Sequence, residues 1–316
     1  MIDDRLIARV AELFYVHNIN QYEIAKKFNF SKAKVCRIIK DAKKKKIIQF
    51  TIKNFDARRI DLEKSLEEKF GLKEAIIYVN PEGGYYDENL ISQEIGLLGS
   101  QFMQRILKDN LNIAVTWGRT LYHMFNKLEV DKKYKIKIFA TLGGVTTGDA
   151  ETHNNNLVQI LAGKTGGTPY PIYMPLILEK ADHKKMLSES YVIKEVLGDA
   201  SKIDYYFAGV GAIIKNSHLY NPNGDFNQAM LNKLKDKKIC GEMGLNFYDI
   251  DGNFIDSGLE ERAIYLDINE IKKIKNIIVA AFGKEKITPM LGILRTGIIS
   301  VLITDSITAQ SLIYNS

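Results

Sequence analysis

From residue 72 to the C-terminus, short apolar runs of strand type alternate with longer runs of helix type. Strands and helices in turn predict a mainly parallel, Rossmann-like α/β sheet covered on both faces, with ligands bound beyond the carboxyl ends of the strands. The predicted strands are residues 75–79, 112–115, 135–141, 204–209, 276–281 and 300–303, and the predicted helices are residues 89–107, 119–128, 152–161, 184–197, 286–294 and 306–313.

The positive charge is concentrated ahead of this sheet domain. Residues 1–55 hold 13 Lys/Arg and 5 Asp/Glu, whereas the remaining residues hold 31 and 33, so a head of net charge +8 precedes a body of net charge −2. Such asymmetry indicates a polyanionic partner at one end of the chain. A solvated lysine-rich surface would give the same composition. The arrangement of the lysines must therefore distinguish such a surface from a binding site for a polyanion.

The head shows three short helical patterns. The first runs from Asp3 to Val16, and Asn20 and Ser31 are residue types that begin helices, each ahead of apolar residues at helical spacing. The turn at residues 29–30 is tight, and cations occupy the free side of the third helix. This is the order of a helix-turn-helix, whose last helix enters the major groove of DNA. An ordinary small helical bundle is the alternative.

The DNA contacts follow from this geometry. Early residues of the last helix meet base edges, an arginine can form a fork with guanine, and lysines neutralise phosphates. The N-terminus of the second helix, near Gln21, can hold a backbone phosphate. We expect Lys43 to Lys46 to cross the phosphate backbone and residues 47–53 to form a short wing strand. The predicted DNA-binding residues are Gln21, Ser31, Lys32, Lys34, Val35, Arg37, Lys40 and Lys44.

Glycine-bearing turns follow several predicted strands of the body. The segment "VTWGRT" (residues 115–120) opens a helix, so its hydroxyls and N–H groups can hold a phosphate. Glycines in such turns permit close backbone approach, although αβ turns also need glycine for structural reasons. Trp117 can pack against a sugar face or in the core. The candidate ligand-binding residues here are Thr116, Trp117, Gly118, Arg119, Thr120, Gly143, Gly144 and Gly211.

Several kinds of function lack their signals in the sequence. No 18-residue apolar window predicts a membrane span, and Asp3 and Asp4 stand where a signal peptide carries positive charge. The two cysteines, Cys36 and Cys240, lie far apart, which predicts a reduced cytoplasmic chain. The histidines show no metal spacing, residues 249–252 predict a turn rather than a calcium loop, and no nucleophile–base pair occurs. We therefore expect no metal, no cofactor and no catalytic residue.

The head carries Tyr15, a Q-x-x-I-A motif from Gln21 and an S-x-x-x-V-x-R-x-x-x-x-A motif from Ser31. It resembles the N-terminal domain of the SorC family of bacterial transcriptional regulators. Cys36 replaces a common serine, and the usual glycine before the wing is missing. The resemblance continues to the C-terminus in blocks similar to that family's sugar-binding domain. These blocks are "IAVTWGRTL" (113–121), "LGG" (142–144), "GVGAI" (209–213), "GEMGLNFYDIDG" (241–252) and "LITD" (302–305).

The resemblance implies that Lys286 lies near a ligand phosphate and that Glu242 accepts hydrogen bonds from sugar hydroxyls. A solvated helix start and a loop ion pair are the structural alternatives for these two residues. Leu142 stands where some members have arginine or lysine, and it can neither hold a second phosphate nor form a Schiff base. We therefore expect a neutral sugar, a polyol or a sugar monophosphate. Phe282 replaces a common Gly-Gly pair and would narrow the pocket.

The resemblance implies an effector-controlled regulator, a repressor or an activator, that binds a duplex DNA operator as a homodimer or homotetramer. The expected domains are a helix-turn-helix domain with a wing (residues 1–54), a linker helix (55–71), and a sugar-binding and oligomerisation domain (72–316). That domain also resembles sugar-phosphate isomerases and deaminases in fold, so such an enzyme is the alternative, which the basic head disfavours. A structural DNA-binding protein, whose body only oligomerises, is the third possibility.

Overall fold

The computed structural model describes residues 3–48, 57–81, 87–145, 149–215, 217 and 219–316. The chain divides into two compact units, Met1–Asp56 and Ala57–Ser316. The first unit is helical and the second is an α/β sheet domain, as the sequence predicts. The sequence treats residues 55–71 as a separate linker, whereas the structure places that helix in the second unit, packed on its first strand.

Three capped helices build the first unit. Asn20 Oδ1 accepts hydrogen bonds of 3.0 Å from the N–H groups of Tyr22 and Glu23, and Ser31 Oγ accepts one of 3.2 Å from Lys34. Asn29 ends the second helix in the left-handed region, with φ of 53°. The helices are α1 (Asp4–Tyr15), α2 (Gln21–Phe28) and α3 (Lys32–Lys44).

The inner faces of α1, α2 and α3 form one small apolar core. After α3, Ile47 and Ile48 turn back and pack against that core. Most of the predicted wing, residues 49–53, lies outside the described residues.

The second unit contains a seven-stranded parallel sheet of order β1-β10-β9-β5-β2-β3-β4. Every residue of β9 and β10 is buried, which requires cover on both faces of the sheet. The six strands predicted from apolar runs are all present. The strands of this sheet are β1 (Glu74–Tyr78), β2 (Asn112–Val115), β3 (Lys137–Ala140), β4 (Thr168–Tyr170), β5 (Tyr205–Ala208), β9 (Ile277–Ala280) and β10 (Val301–Asp305).

Helices join these strands. One prediction is wrong: residues 184–197 form two helices, because Ser190 caps the second one by accepting from Ile193 N–H at 3.4 Å. The helices of this unit are α4 (Ala57–Phe70), α5 (Glu88–Ile106), α6 (Arg119–Asn126), α7 (Asn154–Thr165), α8 (Ala181–Ser188), α9 (Tyr191–Leu197), α10 (Gln228–Asp236), α11 (Ile268–Ile271), α12 (Ile287–Arg295) and α13 (Ser306–Asn315).

A small lobe with its own apolar core stands beside the main sheet. It contains α10 and an antiparallel sheet of β6 (Gly211–Ala212), β7 (Gly241–Met243) and β8 (Asn246–Tyr248). Gly244 and Leu245 join β7 to β8 with φ of 57° and 64°, which fits a type I′ hairpin turn. Sequence patterns do not predict the three strands of this lobe, because strands of two or three residues are too short to show an alternation.

Candidate functional site

A cavity of about 400 Å³ opens at the carboxyl ends of β2, β5 and β9. β2 and β5 are neighbours in the sheet, but the chain leaves β2 towards β3 on one side and leaves β5 towards β9 on the other. This reversal of direction is the position at which open α/β sheets bind ligands. The small lobe supplies part of the wall through Gly211, Leu219 and Glu242.

Glu242 is the buried acid of the cavity, with 4% of its surface exposed. Its Oε2 accepts a 2.9 Å hydrogen bond from the N–H of Leu245, in the hairpin turn. Burial raises the pKa of the Glu242 carboxyl, although the Leu245 N–H, the Trp117 side chain and the charge of Lys286 act to lower it. A carboxyl held in this way can accept hydrogen bonds from ligand hydroxyls, and it can donate one when protonated.

Gly211 leaves the space that Glu242 occupies. A Cβ atom on residue 211 would lie 2.1 Å from Glu242 Oε1, closer than any stable contact. Gly211 pairs with Glu242 in the antiparallel ladder of the lobe, so the two positions are tied through the backbone. Position 211 therefore needs glycine if the Glu242 carboxyl is to keep this place.

Two cations line the same cavity. Lys286 is half-buried and Arg119 is exposed. Burial lowers the pKa of the Lys286 ammonium; Glu242 raises this pKa and Arg119 lowers it further. Across the described ranges, neither side chain makes a hydrogen bond or a salt bridge within the protein. Both cations are therefore free to pair with an anionic group of a ligand.

The start of α6 adds backbone donors to this side of the cavity. Gly118, with φ of 146°, precedes α6, and no side chain caps the helix. The first residues of α6, Arg119, Thr120 and Leu121, all line the cavity. Uncapped N–H groups at a helix N-terminus attract anions. The cavity thus has a buried carboxyl on the lobe side and cations with free backbone donors on the sheet side.

Seven of the ten residues proposed from the sequence line the cavity. Thr116 is not among them: its hydroxyl donates to Trp117 O at 3.2 Å and accepts from Gly209 N–H at 3.3 Å, so it braces the loop behind the wall. The lining residues from that set are Trp117, Gly118, Arg119, Thr120, Gly211, Glu242 and Lys286.

Gly143 and Gly144 also lie outside the cavity wall, and their assignment to a ligand has no support from this geometry. Their N–H groups donate to Ile264 O and Met174 O. A Cβ on Gly143 would lie 2.6 Å from Pro175 O, so glycine is needed there for packing. Leu142, next to them, is fully buried in the core of the lobe.

Trp117 combines the two roles considered for it. It is 6% exposed and belongs to the core of the lobe, yet it touches the cavity. Its side chain lies beside the Glu242 carboxyl and acts to lower the pKa of that carboxyl. Trp117 therefore helps to hold the acid in place from the core side.

Sequence reasoning missed two polar residues that α5 brings to the cavity, Glu88 and Ser92. Ser92 is 1% exposed, and its hydroxyl lies 3.5 Å from that of Thr120. Polar residues in the first turns of a helix look like solvated surface in a sequence, and only the tertiary fold brings α5 beside α6. Phe282, noted as a substitution that would narrow the pocket, lies in the cavity wall.

The head exposes most of the predicted DNA-binding residues. Gln21 is half-buried, and Val35 is a correction: it is 0% exposed and packs in the core of the head, so its side chain cannot reach DNA. Position 35 lies on the inner face of α3, and its place in a sequence motif reflects packing. The exposed members are Ser31, Lys32, Lys34, Arg37, Lys40 and Lys44.

Several lysines in the described part of the head contact other groups of the protein, among them Lys45 and Lys34. Lys45 Nζ lies 2.5 Å from Asp4 Oδ1, and Lys34 Nζ lies 3.8 Å from the centre of the Phe30 ring. These contacts draw both ammonium groups towards the protein. Across the described part of the head, Arg37, Lys40 and Lys44 make no such contact and leave their charge open to a partner.

Within the described residues, the other candidate sites of the sequence have structural roles or lack the groups that they would need. Asp249 Oδ1 accepts hydrogen bonds from the N–H groups of Asp251 and Asn253, so residues 249–253 form a turn. Among the residues that the structure describes, no cluster of His, Cys, Asp and Glu could hold a metal ion. No described helix is long and apolar enough to cross a membrane.

The body matches a known family. Residues 56–314 match the family described as "Putative sugar-binding domain". The deoxyribonucleoside regulator of Bacillus subtilis is 25% identical over 98% of this chain and 97% of its own. The sorbitol operon regulator of Klebsiella pneumoniae is 25% identical over 98% of both chains. The crystal structure of full-length SorC from Klebsiella pneumoniae superposes with a TM-score of 0.76 at 23% identity, covering 99% of each chain.

These relatives are transcriptional regulators rather than enzymes. The fold and the family match therefore place this chain in a class of transcriptional regulators in which a helical head precedes a sugar-binding α/β domain. The chain belongs to the SorC/DeoR-type family of transcriptional regulators.

Proposed function

We propose that this chain regulates carbohydrate genes by binding duplex operator DNA through its head. A sugar, a polyol or a sugar monophosphate in the cavity of the body changes the affinity for that operator. The observation that carries this proposal is the pairing, in one cavity, of the buried Glu242 with Lys286 and the uncapped start of α6. Relatives that regulate a sorbitol operon and erythritol catabolism support a sugar or a polyol as the class of effector.

The two sides of the cavity fit the two ends of such a ligand. Hydroxyl groups can donate to the Glu242 carboxyl, and a single phosphate can bind Lys286, Arg119 and the free N–H groups of α6. Leu142 is buried in the lobe and offers no charge for a second phosphate. This supports a neutral or singly phosphorylated effector over a bisphosphate.

The head supports DNA as the partner because its exposed cations lie on the free side of α3, away from the core. Binding through lysine and arginine releases counterions from DNA, so the affinity falls steeply with salt. Two copies of the chain, in a dimer or within a tetramer, would place two such helices on two half-sites. The effector changes the free-energy difference between arrangements of the heads, and the operator binds these arrangements with different affinities. Each ligand therefore changes the affinity of the protein for the other.

A thermal-shift screen tests the effector site. Sugars, polyols and their monophosphates are added to the wild-type protein and to Lys286→Ala. We expect one class of compound to raise the Tm of the wild type and to lose most of that effect in the variant. Lys284→Ala is the matched control, since Lys284 is exposed two residues away and does not line the cavity. An equal Tm increase in all three proteins would remove Lys286 from the site.

A DNA titration tests the head. Arg37→Ala should weaken binding to operator DNA more than binding to random DNA, because a guanine fork reads sequence. Lys44→Ala should weaken both about equally, because a phosphate contact carries no sequence information. Equal losses on both DNAs for Arg37→Ala would contradict its assignment to base reading.

A further inference from the structure

The exposed side of α3 carries one narrow stripe of side chains. Ala33, Arg37, Lys40 and Lys44 are exposed and follow one another at intervals of four, three and four residues. At 3.6 residues per turn, this spacing places them nearly in line along the helix. The buried residues Val35, Ile38, Ile39 and Ala42 lie on the opposite side. The stripe therefore faces directly away from the core of the head.

Ala33 differs from its neighbours on this stripe because it is small and uncharged. It is the second residue of α3, where a helix in the major groove meets base edges. Lys34, which follows it, is drawn towards the Phe30 ring and away from the stripe. Arg37 is one turn further along and has no ion pair within the described residues. A methyl group thus stands beside a free guanidinium group at the groove-facing end of α3.

We propose that Ala33 is a specificity-determining residue, and that Ala33 and Arg37 together read a thymine near a guanine. Arg37 forms a fork with O6 and N7 of the guanine, and the Ala33 methyl contacts the C5-methyl of the thymine. Thymine presents the only methyl group in the major groove, and alanine is a side chain that contacts it. The inference rests on the proposed function, since it requires α3 to lie in the groove.

The helix geometry sets the distance between the two bases. Four residues advance a helix by about 6 Å, and one base pair advances DNA by about 3.4 Å. The thymine is therefore expected within about one or two base pairs of the guanine. A larger side chain at position 33 would hold the helix further from the bases, so the small size of Ala33 also permits the approach of Arg37.

The experiment begins with selection of bound duplexes from a random library by the full-length protein. Each thymine of the selected site is then replaced by deoxyuridine, which removes the C5-methyl group alone, and binding is measured by fluorescence anisotropy. For the wild type we expect replacement of the thymine near the guanine to weaken binding about three- to tenfold, the loss of a buried methyl contact. Replacement at the other thymines should have little effect.

The protein variants separate this contact from a change in helix stability. In Ala33→Gly the ratio of affinities for thymine and deoxyuridine DNA should fall to near one, since the partner methyl is gone. Glycine also weakens helices, so Ala8→Gly, at an exposed position of α1, is the matched control and should keep the wild-type ratio. The ratio compares the affinities of one protein sample for two DNAs. A lower fraction of folded protein therefore changes both affinities equally and leaves the ratio unchanged.

The outcomes separate the inference from the proposed function. A selected site without a thymine near a guanine, or deoxyuridine binding equal to thymine at every position, would overturn the role of Ala33 and leave the regulator intact. An unchanged ratio in Ala33→Gly would overturn it as well. If the library yields no preferred sequence at all, sequence-specific operator binding fails, and the inference fails with it.

Discussion

At the scale of single residues, the chemistry of the cavity depends on two ionisable groups, the buried carboxyl of Glu242 and the half-buried ammonium of Lys286. Burial raises the pKa of Glu242 and lowers the pKa of Lys286, so burial disfavours the charged form of both groups. The charge of each group shifts the pKa of the other in the opposite direction, but these two described side chains form no salt bridge with each other. A ligand that brings hydroxyls to one and an anion to the other would offset both penalties.

The raised pKa of Glu242 predicts a pH-dependent gain of stability for Glu242→Gln. A carboxyl whose pKa is higher in the folded state stabilises the protein below its unfolded pKa, and this contribution is lost as pH rises through the folded pKa. Glutamine stays neutral and can still accept from Leu245 N–H. In thermal unfolding we therefore expect Glu242→Gln to have a higher Tm than the wild type at pH 8, with the difference shrinking towards pH 4. Glu285→Gln, an exposed residue of the cavity wall, is the control. A lower Tm for Glu242→Gln at pH 8 would contradict the account.

At the scale of elements, α4 closes the free edge of the sheet. β1 is an end strand, and its outward N–H groups at Ala75 and Ile77 donate to Glu67 at 3.0 Å and to Glu63 at 3.2 Å. An open edge strand invites pairing with other chains. The carboxylates of α4 accept hydrogen bonds from the N–H groups of that edge. These hydrogen bonds hold α4 against the sheet.

Removal of the Glu63 acceptor should destabilise the protein. In Glu63→Ala the N–H of Ile77, a residue that is 2% exposed, loses its partner, and an unsatisfied buried donor costs about 1–3 kcal/mol. Glu63→Gln keeps an acceptor, and since burial raises the pKa of Glu63, a neutral side chain suits the site. Urea unfolding should show the loss for alanine but little for glutamine. Glu68→Ala, at an exposed position of α4, should be near wild type. Equal losses for alanine and glutamine at position 63 would argue against the hydrogen bond.

At the scale of the whole molecule, the chain separates two kinds of recognition. Charge is concentrated in the head, where residues 1–55 carry +8 and the rest carries −2, and the cavity lies in the body. Each unit has its own apolar core, and the core of the head is separate from the two cores of the body. Linkage requires that an effector which changes operator affinity is itself bound differently when the operator is present.

The elements that the sequence predicts correctly are those with a clear local pattern of apolar or capping residues. The buried strands of the large sheet and the capped helices of the head follow from local patterns, since residues such as Asn20 and Ser31 act within one turn. β4 was missed because it has three residues and includes Pro169, which weakens a strand pattern. Ser92 joins the cavity only through tertiary packing. Val35 shows the opposite error: its position early in α3 predicts a DNA contact, although its spacing from Ile38 and Ala42 marks it as core.

The central claim is that a ligand in the body changes how the head binds DNA. The most direct measurement is fluorescence anisotropy of the selected operator, titrated with protein at fixed salt, with and without the compound that raises the Tm most. We expect that compound to change the Kd for the operator by about 5–150-fold, the usual range of coupling between sites. An unchanged Kd, with the compound demonstrably bound, would contradict the claim.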